Sequence, residues 1–158
     1  MQTDFFKKQF KRNNPIKTKI LTNNTIMNND DFLYKRESSE INGAVYEVHK
    51  IMGVGLLEKV YQEALALEFI RRDIPFEQEK PFRLAYKGTQ LNAYYVADFV
   101  CYGKIIVELK SVSELLDIHK AQVRNYLSIT GYELGLLYNF NDLYMKPTRI
   151  LNPNNLLP

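Results

Sequence analysis

The stretch "VADFVCYGKIIVELKSV", residues 96 to 112, reads as two hydrophobic strands and a tight turn, yet Asp98, Glu108 and Lys110 stand inside the strands. An unpaired charge is costly to bury, so such groups are paired, bound to a metal, or turned to solvent. Glu108 and Lys110 lie two residues apart and leave the strand on one face, which is expected to be half polar. Ile105, Val107 and Leu109 leave the other face, toward a core. A three-residue turn at Tyr102-Gly103-Lys104 sets Asp98 opposite Glu108, whereas a two-residue turn sends it to the wrong side.

Two carboxylates meeting across a hairpin repel by about 0.2–1 kcal/mol, and by more when desolvated. A divalent cation relieves that repulsion. Oxygen ligands without His or Cys suit Mg²⁺ or Mn²⁺, which bind one or two carboxylates and keep several waters. A lysine alongside can orient or deprotonate an attacking water and offset charge developing at phosphorus. The competing reading is a solvated strand face with a Glu–Lys pair and nothing bound.

Two further clusters carry polar groups on apolar faces. In "GLLEKVY", Gly55, Glu58 and Tyr61 open a helix, and Glu58 heads a stripe continuing through Tyr61, Leu65 and Phe69. Its alternative role is interaction with the helix N-terminal dipole, which contributes about 0.3–1 kcal/mol. In "HKAQVRNYL", His119, Gln122 and Tyr126 share an arc with Leu115, Val123 and Thr130. Gln122 is thus expected on a buried face, where it needs partners from sheet backbone or from a polar site.

The elements that must position these groups follow from periodicity. "SSEINGAVYEVHKIMG" predicts a first amphipathic helix, with a serine as N-cap and Gly53 as stop. "LLEKVYQEALALEFIRRD" predicts a second, ended by Pro75. Residues 76 to 112 change to strand character in an antiparallel meander of three or four strands, broken at Pro81, Lys87-Gly88 and Gly103-Lys104. "SELLDIHKAQVRNYLSITG" predicts a third helix between Ser113 and Gly131, followed by the strand "YELGLLYNF" and a short edge strand in "MKPTRIL". The order predicts an α/β (α+β) fold, a mixed sheet with helices packed on it.

Charge is unevenly placed. Residues 1 to 36 hold eight Lys and Arg against three Asp and Glu, while the remainder holds thirteen against fifteen. The basic leader, rich in Asn and Lys, is expected to be disordered, and the composition shift after Met27 marks an alternative start. Residues 37 to 158 are expected to form one domain, whose mildly acidic balance does not by itself announce nucleic-acid binding. One cysteine, Cys101, cannot form an internal disulfide, and with no apolar run of membrane-spanning length a cytoplasmic protein is expected. His49 and His119 stand alone and read as structural, and "GVG" lacks the flanks of a phosphate loop.

Asp98 followed by Glu108-Leu109-Lys110 looks like the core motif of the PD-(D/E)XK nuclease superfamily, a strand aspartate, a turn, then E-x-K. The stretch Gly55-x-x-Glu58-x-x-Tyr61 resembles the signature of the GxxExxY protein family, assigned to the same superfamily. Gln122-x-x-x-Tyr126 resembles the Q-x-x-x-Y motif of its RecB-like nucleases. The resemblance spans roughly residues 33 to 150 and implies a restriction-endonuclease-like core that gathers Glu58, Asp98, Glu108, Lys110 and Gln122 at one site. It implies no known substrate; the expected function is a metal-dependent nuclease acting on nucleic acid, with Asp98, Glu108 and Glu58 toward Mg²⁺ or Mn²⁺, or else, given the mildly acidic body, an inactive module of that fold that binds nucleic acid or a protein partner.

Overall fold

A computed structural model describes residues 33–155. Residues 1–32, with most of the expected leader and Met27, lie outside the described residues. The described chain is an α/β fold, a five-stranded mixed sheet with three helices. Helices α1 (Lys35–Met52) and α2 (Glu58–Arg71) come first, then β1 (Phe76–Tyr86), β2 (Thr89–Cys101) and β3 (Ile105–Lys110). Helix α3 (Asp117–Thr130), β4 (Leu134–Asn139) and β5 (Thr148–Leu151) complete the order. Strands run β1-β2-β3-β4-β5 across the sheet, antiparallel except for β3 and β4, which α3 joins as a parallel crossover.

Both faces of the sheet are covered. Ile41, Val45, Tyr61, Leu65 and Phe69 of α1 and α2 pack on Phe99, Cys101, Ile105, Val107 and Leu109. On the other face, Val123, Tyr126 and Leu127 of α3 pack on Ala97, Val100, Ile106 and Leu137. The face of β3 that carries Glu108 is therefore a second core, not the half-polar face expected, and Glu108 is only 2% exposed.

Three boundaries differ from the expectations for physical reasons. α1 begins at Lys35, a turn before the serines, because Leu33 and Tyr34 pack against the core; Ser38 lies buried within it and accepts from Arg149 Nη1 at 3.0 Å. α3 begins after Leu116, not Ser113, where His119 Nδ1 accepts the Leu116 N–H at 3.0 Å and so supplies the terminal acceptor. β1 runs unbroken through Pro81, since an edge strand loses no ladder bond to a proline on its open side. Gly131, expected as the C-cap of α3, fills that place with φ 73°.

Candidate metal and phosphate site

The β2–β3 turn gives the register that places Asp98 against Glu108. Cys101 pairs with Ile105, Val100 with Ile106 and Phe99 with Val107. One step further on, the backbone ladder stops and side chains replace it. The Asp98 N–H donates to Glu108 Oε2 at 3.3 Å, and the Leu109 N–H donates to Asp98 Oδ2 at 2.8 Å. Each acid thus caps the backbone of the opposite strand where the two strands part.

The hairpin also rolls over here. Phe76, Phe99 and Cys101 face the α1–α2 core, whereas Phe82, Tyr95 and Ala97 face α3, although strict alternation would keep them on one side. Glu79, between the paired residues Gln78–Phe99 and Lys80–Ala97, takes a left-handed φ of 51° and absorbs the reversal. Asp98 stands at the turnover, which lets it meet both β3 and α2.

From α2, Gln62 donates Nε2 to Asp98 Oδ1 at 3.0 Å and accepts from Lys59 Nζ at 2.8 Å. Lys59 in turn pairs with Glu79 at 2.6 Å. Gln62 is 4% exposed and was not singled out in the sequence. Its signal there was position, a glutamine one turn after Glu58 and beside the apolar stripe of Tyr61, Leu65 and Phe69.

Glu58 is the first residue of α2, where a carboxylate meets the positive end of the helix. Its Oε1 lies 3.8 Å from Lys110 Nζ, and Lys110 Nζ lies 3.0 Å from Glu108 Oε1. The preceding loop is clamped by Tyr61, whose hydroxyl donates to Gly53 O at 2.7 Å and accepts the Leu56 N–H at 3.2 Å. Ser111 Oγ donates to Leu56 O at 2.6 Å, tying the loop to the end of β3. Gly55 holds φ 88°, which a side chain would oppose. The spacing of Gly55, Glu58 and Tyr61 is thus that of a loop bend, a helix start and the tyrosine that fastens them.

Gln122 is half-buried, at the margin of the α3 face and not in its middle. Its Nε2 donates to Tyr126 Oη at 2.8 Å, and that hydroxyl donates to Val96 O at 2.7 Å. The protein therefore brings Glu58, Asp98, Glu108 and Lys110 together, with Gln122 joined to the β2 backbone through Tyr126. His119 caps α3, His49 Nε2 lies 2.8 Å from Asp142 O, and Cys101 is buried in the core.

The acids carry strained protonation equilibria. Burial pushes Asp98 up to about 6; the Leu109 amide opposes this and the Glu58 charge adds to it. Burial also pushes Glu108 up to about 7, reinforced by the charge of Asp98 and opposed by Lys110. Burial alone would lower Lys110, but its contacts with Glu108 and the charges of Glu58 and Asp98 outweigh it, and the ammonium is stabilised. Burial and the same two acids, Glu108 before Asp98, raise Tyr126.

The donor set fits a hard divalent cation. Both acids present oxygen only, and the charge of Asp98 makes Glu108 harder to ionise; each carboxylate oxygen makes one hydrogen bond and retains acceptor capacity. Among the described residues, no three Asp, Glu, His or Cys side chains form a ready-made ion cage. Asp98 and Glu108 would be the protein's contribution, with Glu58 acting at longer range.

The model of the PD-(D/E)XK nuclease superfamily matches residues 35–150, and the chain belongs to that superfamily. Its members usually use divalent metal ions. A search of curated proteins gives no match. Among solved structures, the crystal structure of SSO0001 is similar with a TM-score of 0.49 and 21% identity, over 77% of this chain. This chain spans 60% of that one. Among the described residues, no helix is long and apolar enough to cross a membrane.

Proposed function

We propose that the protein is a nuclease of the GxxExxY type that hydrolyses phosphodiester bonds in nucleic acid with Mg²⁺ or Mn²⁺. Asp98 and Glu108 hold the ion, and Glu58 assists directly or through water. A divalent ion so held supplies Lewis acidity toward a phosphoryl oxygen and a more acidic bound water. Lys110, whose ammonium the neighbouring acids stabilise, positions the attacking water and offsets charge on the phosphoryl oxygens. Gln122, whose carbonyl oxygen takes no hydrogen bond among the described residues, orients Lys110 or a phosphate. The single buried thiol of Cys101 supports the expected cytoplasmic setting.

The observation that carries this reading is the ion pair of Lys110 with buried Glu108, next to Asp98 at the parting of two strands. The test is cleavage of DNA and RNA substrates with Mg²⁺ or Mn²⁺; activity surviving in an Asp98→Asn, Lys110→Ala protein refutes it. A second reading, an inactive module of this fold that binds nucleic acid or a protein partner, is favoured by the lack of a ready-made three-acid cage among the described residues. Calorimetry with Mn²⁺ separates the two, since an inactive module gives no heat at a folded site.

A further inference from the structure

Beyond Asp98 the β1–β2 hairpin runs on past the rest of the sheet. β3 bridges only Phe99 to Cys101 of β2, so the segment from Val96 back to Thr89 pairs with β1 alone and forms a two-stranded arm. Its root is fixed beside the site. The cross-strand partners Phe82 and Tyr95 place their rings 6.2 and 5.8 Å from that of Tyr126, whose hydroxyl holds Val96 O. Its tip is a tight turn at Lys87-Gly88, with φ of 48° and 83°, the primed geometry that suits a twisted ribbon.

The arm presents aromatic rings with cations laid on them, Tyr94 on the face away from α3 and Tyr86 at the tip, beyond the register shift between Arg83 and Ala85. Arg83 pairs across the ladder with Tyr94, its guanidinium 5.0 Å from the ring centroid, and Lys87 lies 5.5 Å from the Tyr86 ring. Tyr94 is 52% and Tyr86 63% exposed, far more than packing between strands requires. From 81 to 97 the chain has no Asp or Glu, although the sequence beyond residue 36 carries more acids than bases. Neither Arg83 nor Lys87 makes an ion pair among the described residues. From Tyr94 to Asp98 is four residues of strand, roughly 13 Å at the usual rise.

We propose that this arm is the surface along which a single-stranded nucleic acid lies on its way to Asp98, with bases stacked on Tyr94 and Tyr86 and phosphates on Arg83 and Lys87. Exposed rings stack on base faces, which only unpaired strands offer, and they do so without sequence preference. Cations spaced between the rings match the backbone charge. The proposal rests on nucleic acid being the substrate of the site above.

The test is fluorescence anisotropy of the full chain with labelled oligothymidylate and oligouridylate of about 15 nucleotides, in EDTA so that nothing is cleaved. The Tyr86→Ala, Tyr94→Ala protein is expected to bind at least tenfold more weakly, and Tyr86→Phe, Tyr94→Phe to bind as the parent. Arg83→Ala with Lys87→Ala is expected to flatten the slope of log affinity against log salt by about 1.4, near 0.7 per phosphate. Oligomer binding by the parent that neither pair of alanine substitutions alters overturns the arm and leaves the nuclease reading standing, because metal-dependent cleavage decides the latter. Arm-dependent binding without cleavage under any metal supports the arm and removes the nuclease. A parent that binds neither oligomer overturns the arm, and metal-dependent cleavage again decides the nuclease reading.

Discussion

Gln62 of α2 donates its amide to Asp98 of β2 at 3.0 Å, fixing the helix that begins with Glu58 to the strand that carries the aspartate. The glutamine is almost wholly enclosed, and its carbonyl is itself taken by Lys59. A helix start that must hold a carboxylate near Lys110 is thereby set by a side chain one turn further along.

Replacing Gln62 with leucine should free Asp98 Oδ1 and loosen that link. A loss of about 1–3 kcal/mol is expected, the usual consequence of leaving a buried polar group without its partner. Urea unfolding measures it. The more telling variant is Gln62→Glu, which sets a third acid against Asp98; it should destabilise the metal-free protein and recover with Mn²⁺. A Gln62→Glu protein unaffected by Mn²⁺ would contradict the placement of an ion at Asp98.

The raised acids make stability depend on pH in a definite sense. Asp98 and Glu108 hold protons more tightly folded than unfolded, so their contribution is complete below about pH 4 and is lost as pH rises through about 6 to 7. In EDTA, Tm should fall over that window. Asp98→Asn should flatten the fall and raise stability at neutral pH. Mg²⁺ or Mn²⁺ should restore the parent at pH 7.5 and leave Asp98→Asn little changed.

Lys110→Met leaves Glu108 enclosed without its cation. Glu108 should then take up a proton more readily, so the stability loss, about 1–3 kcal/mol at pH 8, should shrink at pH 5. Chemical denaturation at the two pH values tests this, and an equal loss at both would show that Lys110 acts through packing alone. Cleavage, where it occurs, should fall at least about 100-fold.

Gly135 on β4 touches α3. A Cβ there would stand 2.3 Å from Val123 Cγ1, too close for either backbone to accept without shifting. Gly135→Ala is expected to destabilise by about 1–3 kcal/mol, with Val123→Ala in the same protein recovering part of it. Thermal unfolding of the single and double variants checks the coupling.

The Tyr102-Gly103-Lys104 turn made the meeting of Asp98 and Glu108 legible, because turn length sets register and the observed Cys101–Ile105 pair follows from it. Gly131 and Pro75 marked the ends of α3 and α2 for equally local reasons. What depended on distant packing was hidden. Alternation along "KIIVELK" pointed to a half-polar face, yet α3 lies over it and encloses Glu108. Ser38 looked like a cap and instead receives Arg149 from the far end of the chain. Gln62 was unremarked because a glutamine on a helix is ordinarily solvated, and only the rollover at Glu79 and Asp98 brings the aspartate to it.

Ile105 to Val107 of β3 are enclosed on both faces and paired along both edges, so their amides exchange only when the whole unit opens. Glu58 belongs to the opposite regime, at the first turn of a helix with no side-chain cap, after a solvent-facing loop held by Tyr61 and Ser111. The candidate site is thus split between an anvil and a hinge. Any guest that draws Glu58 inward leaves the anvil unchanged and quiets the hinge, so its signature is slowed exchange confined to the start of α2.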